Sequence, residues 1–133
     1  MTENIAFDLI QKYMDGWKRN DISMICSCLT ENCVIIESHG PTYQGTSDLE
    51  KWFKLWVEAK SMIRKWDIQS FYFCQKEETA FAEWDFSCIS NDADYAFQGI
   101  SVFKISDQKI KFIHEYRMTQ KPYVWEGNAL QSD

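Results

Sequence analysis

The stretch Thr79-Ala80-Phe81-Ala82-Glu83-Trp84-Asp85-Phe86-Ser87-Cys88-Ile89-Ser90 decides how the chain is read. Ala82, Trp84, Phe86 and Cys88 fall on one side of a two-residue period. Phe81, Glu83, Asp85, Ser87 and Ile89 fall on the other. Such alternation marks a β-strand with one buried face and one mixed face. Three further stretches share the period: "KWDIQSFYFCQ" from Lys65, "YAFQGISVFKIS" from Tyr95 and "KIKFIHEYRMT" from Lys109. Polar turn material joins them: Lys76-Glu77-Glu78, Asn91 to Asp94, and Ser106-Asp107-Gln108. Four long strands therefore close the chain.

Upstream the period is helical. Ile5, Leu9 and Tyr13, then Phe7, Ile10, Met14 and Trp17, form apolar stripes on a helix over residues 3–19. Asn20-Asp21 breaks it, and Asp21 is placed to cap a second short helix, "ISMICSCL". Thr30-Glu31-Asn32 reads as a turn, followed by a strand from Cys33 to about His39. Gly40-Pro41 and Gln44-Gly45 bracket a tight excursion. Thr46 or Ser47 caps a third helix, with Ser47-x-x-Glu50 at capping-box spacing. Leu49, Trp52, Phe53 and Trp56 form its apolar stripe, which reads as core.

The order helix, helix, strand, helix, four strands predicts an α+β fold. Three N-terminal helices pack in a strongly curved antiparallel sheet. Strands of nine or more residues in a small domain must curl, and the curl encloses a cone with an open mouth.

At 133 residues the chain reads as one domain, 1–133, with a C-terminal tail over 120–133 whose last residues should be disordered. Aromatics make up 16% of it, enough to wall a cavity as well as fill a core. The formal charge is −6, and the basic residues are scattered among acids. Nucleic acid and anionic membrane surfaces are therefore not expected partners. The five cysteines include no C-x-x-C pair and read as small buried hydrophobes of a reduced, cytoplasmic protein. No signal peptide or membrane span is visible. No glycine motif for phosphate, metal-ligand cluster or nucleophile–His order stands out, so no cofactor or metal is expected.

The element order, with "YMDGWKRNDISMICSCLTENCVIIES", "GPTYQGTSDLEKWF", "TAFAEWDFSC", "FQGISVFKI" and "KIKFIHEY", resembles the nuclear transport factor 2-like superfamily. The resemblance is in particular to its SnoaL-like and ketosteroid-isomerase-like members. The resemblance implies a cystatin-like cone and spans roughly 115 residues. It leaves function open between isomerases, cyclases, dehydratases and binding modules.

The resemblance puts Glu37 in the general-base position and Tyr13 where isomerase-like members carry an oxyanion donor. A carboxylate partly desolvated among rings suits proton abstraction beside a carbonyl. Where those members add a neutral carboxylic acid, this chain has Ser101. Where SnoaL-like cyclases carry an Asp on the last strand, it has Met118. By alternation His114 and Tyr116 share the inner face with Ile110, Phe112 and Met118, and His114 would act as acid or donor. A slip at a bulge would bring Glu115 and Arg117 inside instead. Trp56, Trp84, Phe86, Ser101, Tyr116 and Met118 are the expected ligand contacts, and His39 sits at the mouth or in solvent.

Phe71, Phe73, Phe81 and Ile89 are assigned to the outer face, too apolar for a wet surface, which points to a homodimer. Tyr123 and Trp125 of the tail are expected over the mouth or the partner subunit. Three readings stand: a cofactor-independent enzyme acting on a small, mostly apolar carbonyl compound, a binding module for such a molecule, or a dimeric interaction module.

Overall fold

The computed structural model describes residues 1–130. The tail's last three residues, where disorder is expected, lie outside that range. Helix α1 spans Glu3–Lys18 and α2 spans Ile22–Ser27, followed by strands β1 (Leu29–Ile36) and β2 (Thr42–Gln44). Helix α3 (Gly45–Glu58) precedes the four long strands β3 (Met62–Cys74), β4 (Thr79–Ser90), β5 (Ala93–Ser106) and β6 (Lys109–Arg117). Thr2 and Asp21 cap α1 and α2 by accepting hydrogen bonds from the backbone N–H groups of Ile5 and Met24. Neither Thr46 nor Ser47 caps α3. That helix starts at Gly45, and the Asp48 carboxylate accepts from the Gln44 N–H at 2.8 Å instead.

The six strands form one sheet in the order β2-β1-β6-β5-β4-β3. All neighbours are antiparallel except β1 and β6, which run parallel and bring the first strand beside the last. Two elements differ from expectation. Thr30 to Asn32 belong to β1 rather than to a turn, because an irregularity in the β1–β6 ladder carries the strand back to Leu29. The excursion after Gly40-Pro41 includes the short edge strand β2.

The helices cover one face of the curled sheet, α1 against β3 and α3 against β1. The core joins Ile10, Tyr13, Met14 and Trp17 of α1 to Ile35, Ala82, Phe103, Ile110 and Ile113 of the sheet. Cys28, Cys33 and Cys88 are buried in it, whereas Cys74 is exposed at the end of β3.

Bulges set which residues face inward. In β3 the pairing with β4 shifts at Arg64 and again at Gln69. The second shift turns Phe71 and Phe73 toward the helices, where Phe7 of α1 meets Phe71 edge-on at 5.1 Å. Those two rings therefore leave the outer face to which simple alternation assigns them. In β6, Lys111 is the extra residue between the pairs Ile105–Ile110 and Lys104–Phe112. An unpaired residue reverses inside and outside for everything beyond it. Ile110 and Ile113 are both fully buried, so Glu115 and Arg117 continue the concave side.

Gly99 on β5 marks a close approach. A Cβ built there would collide with the Trp84 indole and the Tyr116 carbonyl oxygen. The missing side chain is what lets Trp84 lie flat across the sheet, donating its indole N–H to Ser101 Oγ at 2.8 Å.

Candidate functional site

The open end of the cone holds a cavity of about 510 Å³. Trp17, Trp52 and Trp56 of α1 and α3 form one wall. Trp66, Trp84, Phe86 and Phe97 of the sheet form the other. These rings stabilise one another by edge and tilted contacts, such as Trp17 with Trp52 at 4.6 Å and Trp66 with Phe86 at 5.6 Å. The wall is apolar, so ionisable groups set into it are desolvated.

Glu37 follows directly after β1 and lines the cavity. The Tyr43 hydroxyl of β2 donates to its Oε1 at 2.6 Å. Tyr43 is itself held by Trp52, ring parallel to ring at 4.0 Å. Burial raises the Glu37 carboxyl above its ordinary range, partly offset by the Tyr43 hydrogen bond and by His39. Glu115 lies alongside on β6 and also lines the cavity. Burial first, then the neighbouring Glu37 charge, pushes its carboxyl up to about 8, with the Ser101 hydroxyl working against the shift. Ser101 is the cross-strand partner of Glu115. Both neighbouring carboxyls are raised by burial, and Glu115 is the one whose shift carries it past neutral pH. The phenol donor favours charge on Glu37, so the proton rests on Glu115.

Tyr13 reaches the cavity floor from α1. Its ring packs edge-on against Trp66 and Phe103 at 6.4 and 6.3 Å. Burial and nearby carboxylates hold its phenol well above the ordinary tyrosine range, so it stays an O–H donor.

The structure thus gathers Glu37, Tyr13, Trp56, Trp84 and Phe86 around one space, with His39 at its border. Ser101 is fully buried and takes part only from behind, through Trp84 and Glu115. His114 and Tyr116 do not join them. Beyond the Lys111 bulge they lie on the convex side, stacked at 4.1 Å with the Tyr116 hydroxyl 2.8 Å from His114 Nδ1. Met118 lines an adjoining hollow of about 390 Å³ beside the tail segment to Pro122, which shares Phe86, Phe97 and Arg117 with the main cavity. Tyr123 and Trp125 are exposed, and neither lines the main cavity. Nothing in the sequence marks β2 as a strand, so Tyr43 carries no signal of its role there. Glu115 and Arg117 surfaced only as the slipped alternative, since no residue type announces the bulge.

A family model for the SnoaL-like domain matches residues 10–113. The chain belongs to the SnoaL-like family. Solved structures share the fold at low identity. A candidate polyketide cyclase from Xanthomonas campestris pv. campestris is 17% identical with a TM-score of 0.72, covering 86% of this chain and 90% of its own. A candidate isomerase from Bacillus subtilis is 18% identical with a TM-score of 0.76, covering 89% and 90%. An epoxide hydrolase of the LEH-like type from M. tuberculosis is 12% identical with a TM-score of 0.76, covering 87% and 84%. A protein from Methylobium petroleophilum, described as having a cystatin-like fold, is 17% identical with a TM-score of 0.72, covering 98% and 84%. At these identities the likeness speaks for the fold. No curated protein matches the chain. Among the described residues, no helix is long and apolar enough to cross a membrane.

Proposed function

We propose that this SnoaL-like protein is a cofactor-independent proton-transfer enzyme for a compact, mostly apolar carbonyl compound. One observation carries the reading: a carboxylate held by a phenol, Glu37 with Tyr43, lies beside a carboxyl that keeps its proton near neutral pH, Glu115. Glu37 takes the proton from the carbon next to the carbonyl. The released electron pair moves onto the carbonyl oxygen, where the Tyr13 hydroxyl and the protonated Glu115 donate hydrogen bonds. The same proton then returns from Glu37 to another carbon, or leaves with a departing group.

A positioned general base contributes roughly 10²–10⁴-fold, and each donor to a developing oxyanion about 10²-fold or more. Both work best where water is excluded, which the indole walls favour. The second carboxyl supplies the acid that isomerase-like relatives place at the position of Ser101, from the neighbouring strand instead.

The test is α-proton exchange into deuterated water, followed by NMR across a panel of cyclic and aryl ketones. Glu37→Gln should cut exchange at least 100-fold, on the scale expected of a lost general base, with an unchanged far-UV spectrum. Undiminished exchange in that variant removes Glu37 from the scheme.

A second copy of the chain is the proposed partner of the convex face. There Tyr72, Phe81, Val102, His114 and Ile36 pair in one row across five strands. Apart from the His114 imidazole the row is aromatic and aliphatic, the kind of surface that a symmetric partner covers.

A further inference from the structure

Arg117 stands out among the charged groups of the cavity. It lies two residues beyond Glu115 on the concave side of β6, opposite Gly99. That spacing invites an ion pair with Glu115, yet none forms. The guanidinium instead lies over the Phe97 ring, 4.8 Å from its centre. Glu115 shows the consequence, since its carboxyl is raised and Arg117 is not among the groups that act on it. The ion pairs among the described residues are Lys18–Asp15, Arg64–Asp94 and Lys65–Asp85, so Arg117 has no carboxylate of its own there.

A guanidinium resting on an aromatic face keeps its edge N–H groups directed outward. Those groups match the two oxygens of a carboxylate. Phe97, packed against Phe86 at 5.1 Å, is the platform under the guanidinium, while the Trp84 indole takes up the space over Gly99. The Glu37 charge near Tyr13 and the cation beside Phe97 set opposite charges in different parts of the cavity. A neutral ligand has no use for the outer pole.

We propose that the cavity takes an amphipathic ligand, with its apolar ring system between the indoles and a terminal carboxylate held by Arg117 at the mouth. This rests on the proton-transfer reading only for the direction in which the ligand lies. The carbonyl end points to Glu37 and Glu115, away from the carboxylate. A repulsive element sharpens the choice, because a carboxylate inserted the other way would meet the Glu37 charge.

The test is binding, which needs no turnover. Equilibrium titrations followed by tryptophan fluorescence use bicyclic and tricyclic arylacetic acids, each paired with its neutral primary amide. The wild-type chain should bind the acids about tenfold more tightly than their amides, the scale of one charge-assisted hydrogen-bond pair. Arg117→Met should remove that preference by weakening the acids alone, and Arg117→Lys should retain part of it. Lys121→Met, on the tail side of the neighbouring hollow, should leave the preference intact. Equal binding of acids and amides overturns the proposal, as does failure of every pair to bind. So does an Arg117→Met variant that weakens both members alike, or a preference lost in Lys121→Met. The acid preference can stand while Glu37→Gln exchanges protons normally, and the reverse holds too, so the two readings fail separately.

Discussion

Glu37 and Glu115 emerge side by side where the parallel β1–β6 ladder ends, one step past the pair Ile36–His114. Each strand end is individually ordinary. Their adjacency links the two, because neither carboxyl can ionise without affecting the other. The parallel pairing that closes the sheet thus also creates the candidate chemistry.

Stability should fall with rising pH through neutrality. In the folded chain Glu115 holds its proton up to about 8, whereas unfolding returns it to its ordinary 4.5. Between those values the folded state binds the extra proton, so each pH unit costs up to about 1.4 kcal/mol. The contribution is complete below the unfolded value and lost as pH passes through the folded one. Glu37, also raised, acts in the same direction. Urea midpoints measured from pH 5 to 8.5 should decline for the wild type and flatten for Glu115→Gln. Parallel slopes for the two proteins would count against a protonated Glu115.

Tyr43→Phe should keep the stack on Trp52 and lose the donor to Glu37. Removing a hydrogen bond to a charged group costs about 1.5–3 kcal/mol. The Glu37 carboxyl then moves further up, because the bond was one of the groups holding it down. Carbon-13 titration of labelled glutamates should show that upward displacement. An unmoved Glu37 signal would mean that the phenol does not set its charge.

Gly99→Ala should destabilise the fold by about 2 kcal/mol or more, since neither the Trp84 indole nor the Tyr116 backbone can move aside cheaply. A thermal midpoint several degrees lower, with altered tryptophan fluorescence, is the expected reading. An unchanged midpoint would show that Trp84 does not need the gap.

Light scattering of the purified chain should give twice the monomer mass. Phe81→Glu, on the convex row beside Tyr72 and Val102, should return it to the monomer mass with ligand binding intact. A wild-type chain that stays monomeric at high concentration rejects the paired form.

Much of this architecture can be read without coordinates, and the residues show why. The stripes of α1 and the alternation of β4 come from many positions agreeing, so one exception does not obscure the pattern. The same holds for Trp84 and Phe86, which alternation places on the inner face where they are found. The side chains that alternation misplaces lie beyond a single extra residue: Phe71 and Phe73 past Gln69, and His114, Tyr116 and Met118 past Lys111. Alternation carries parity forward from an assumed start, so one unpaired residue inverts everything downstream. Tyr43 was hidden for another reason. A three-residue edge strand is too short to show a period.

The Lys111 bulge also has a genetic meaning. Substitution exchanges one functional group at a time, and each exchange is judged on its own. Losing a single codon at Lys111 would rotate the whole end of the strand by half a turn, withdrawing an acid and a guanidinium and presenting an imidazole and a phenol. Insertions and deletions of one residue, rather than point changes, are therefore the short route by which this scaffold trades one set of cavity side chains for another.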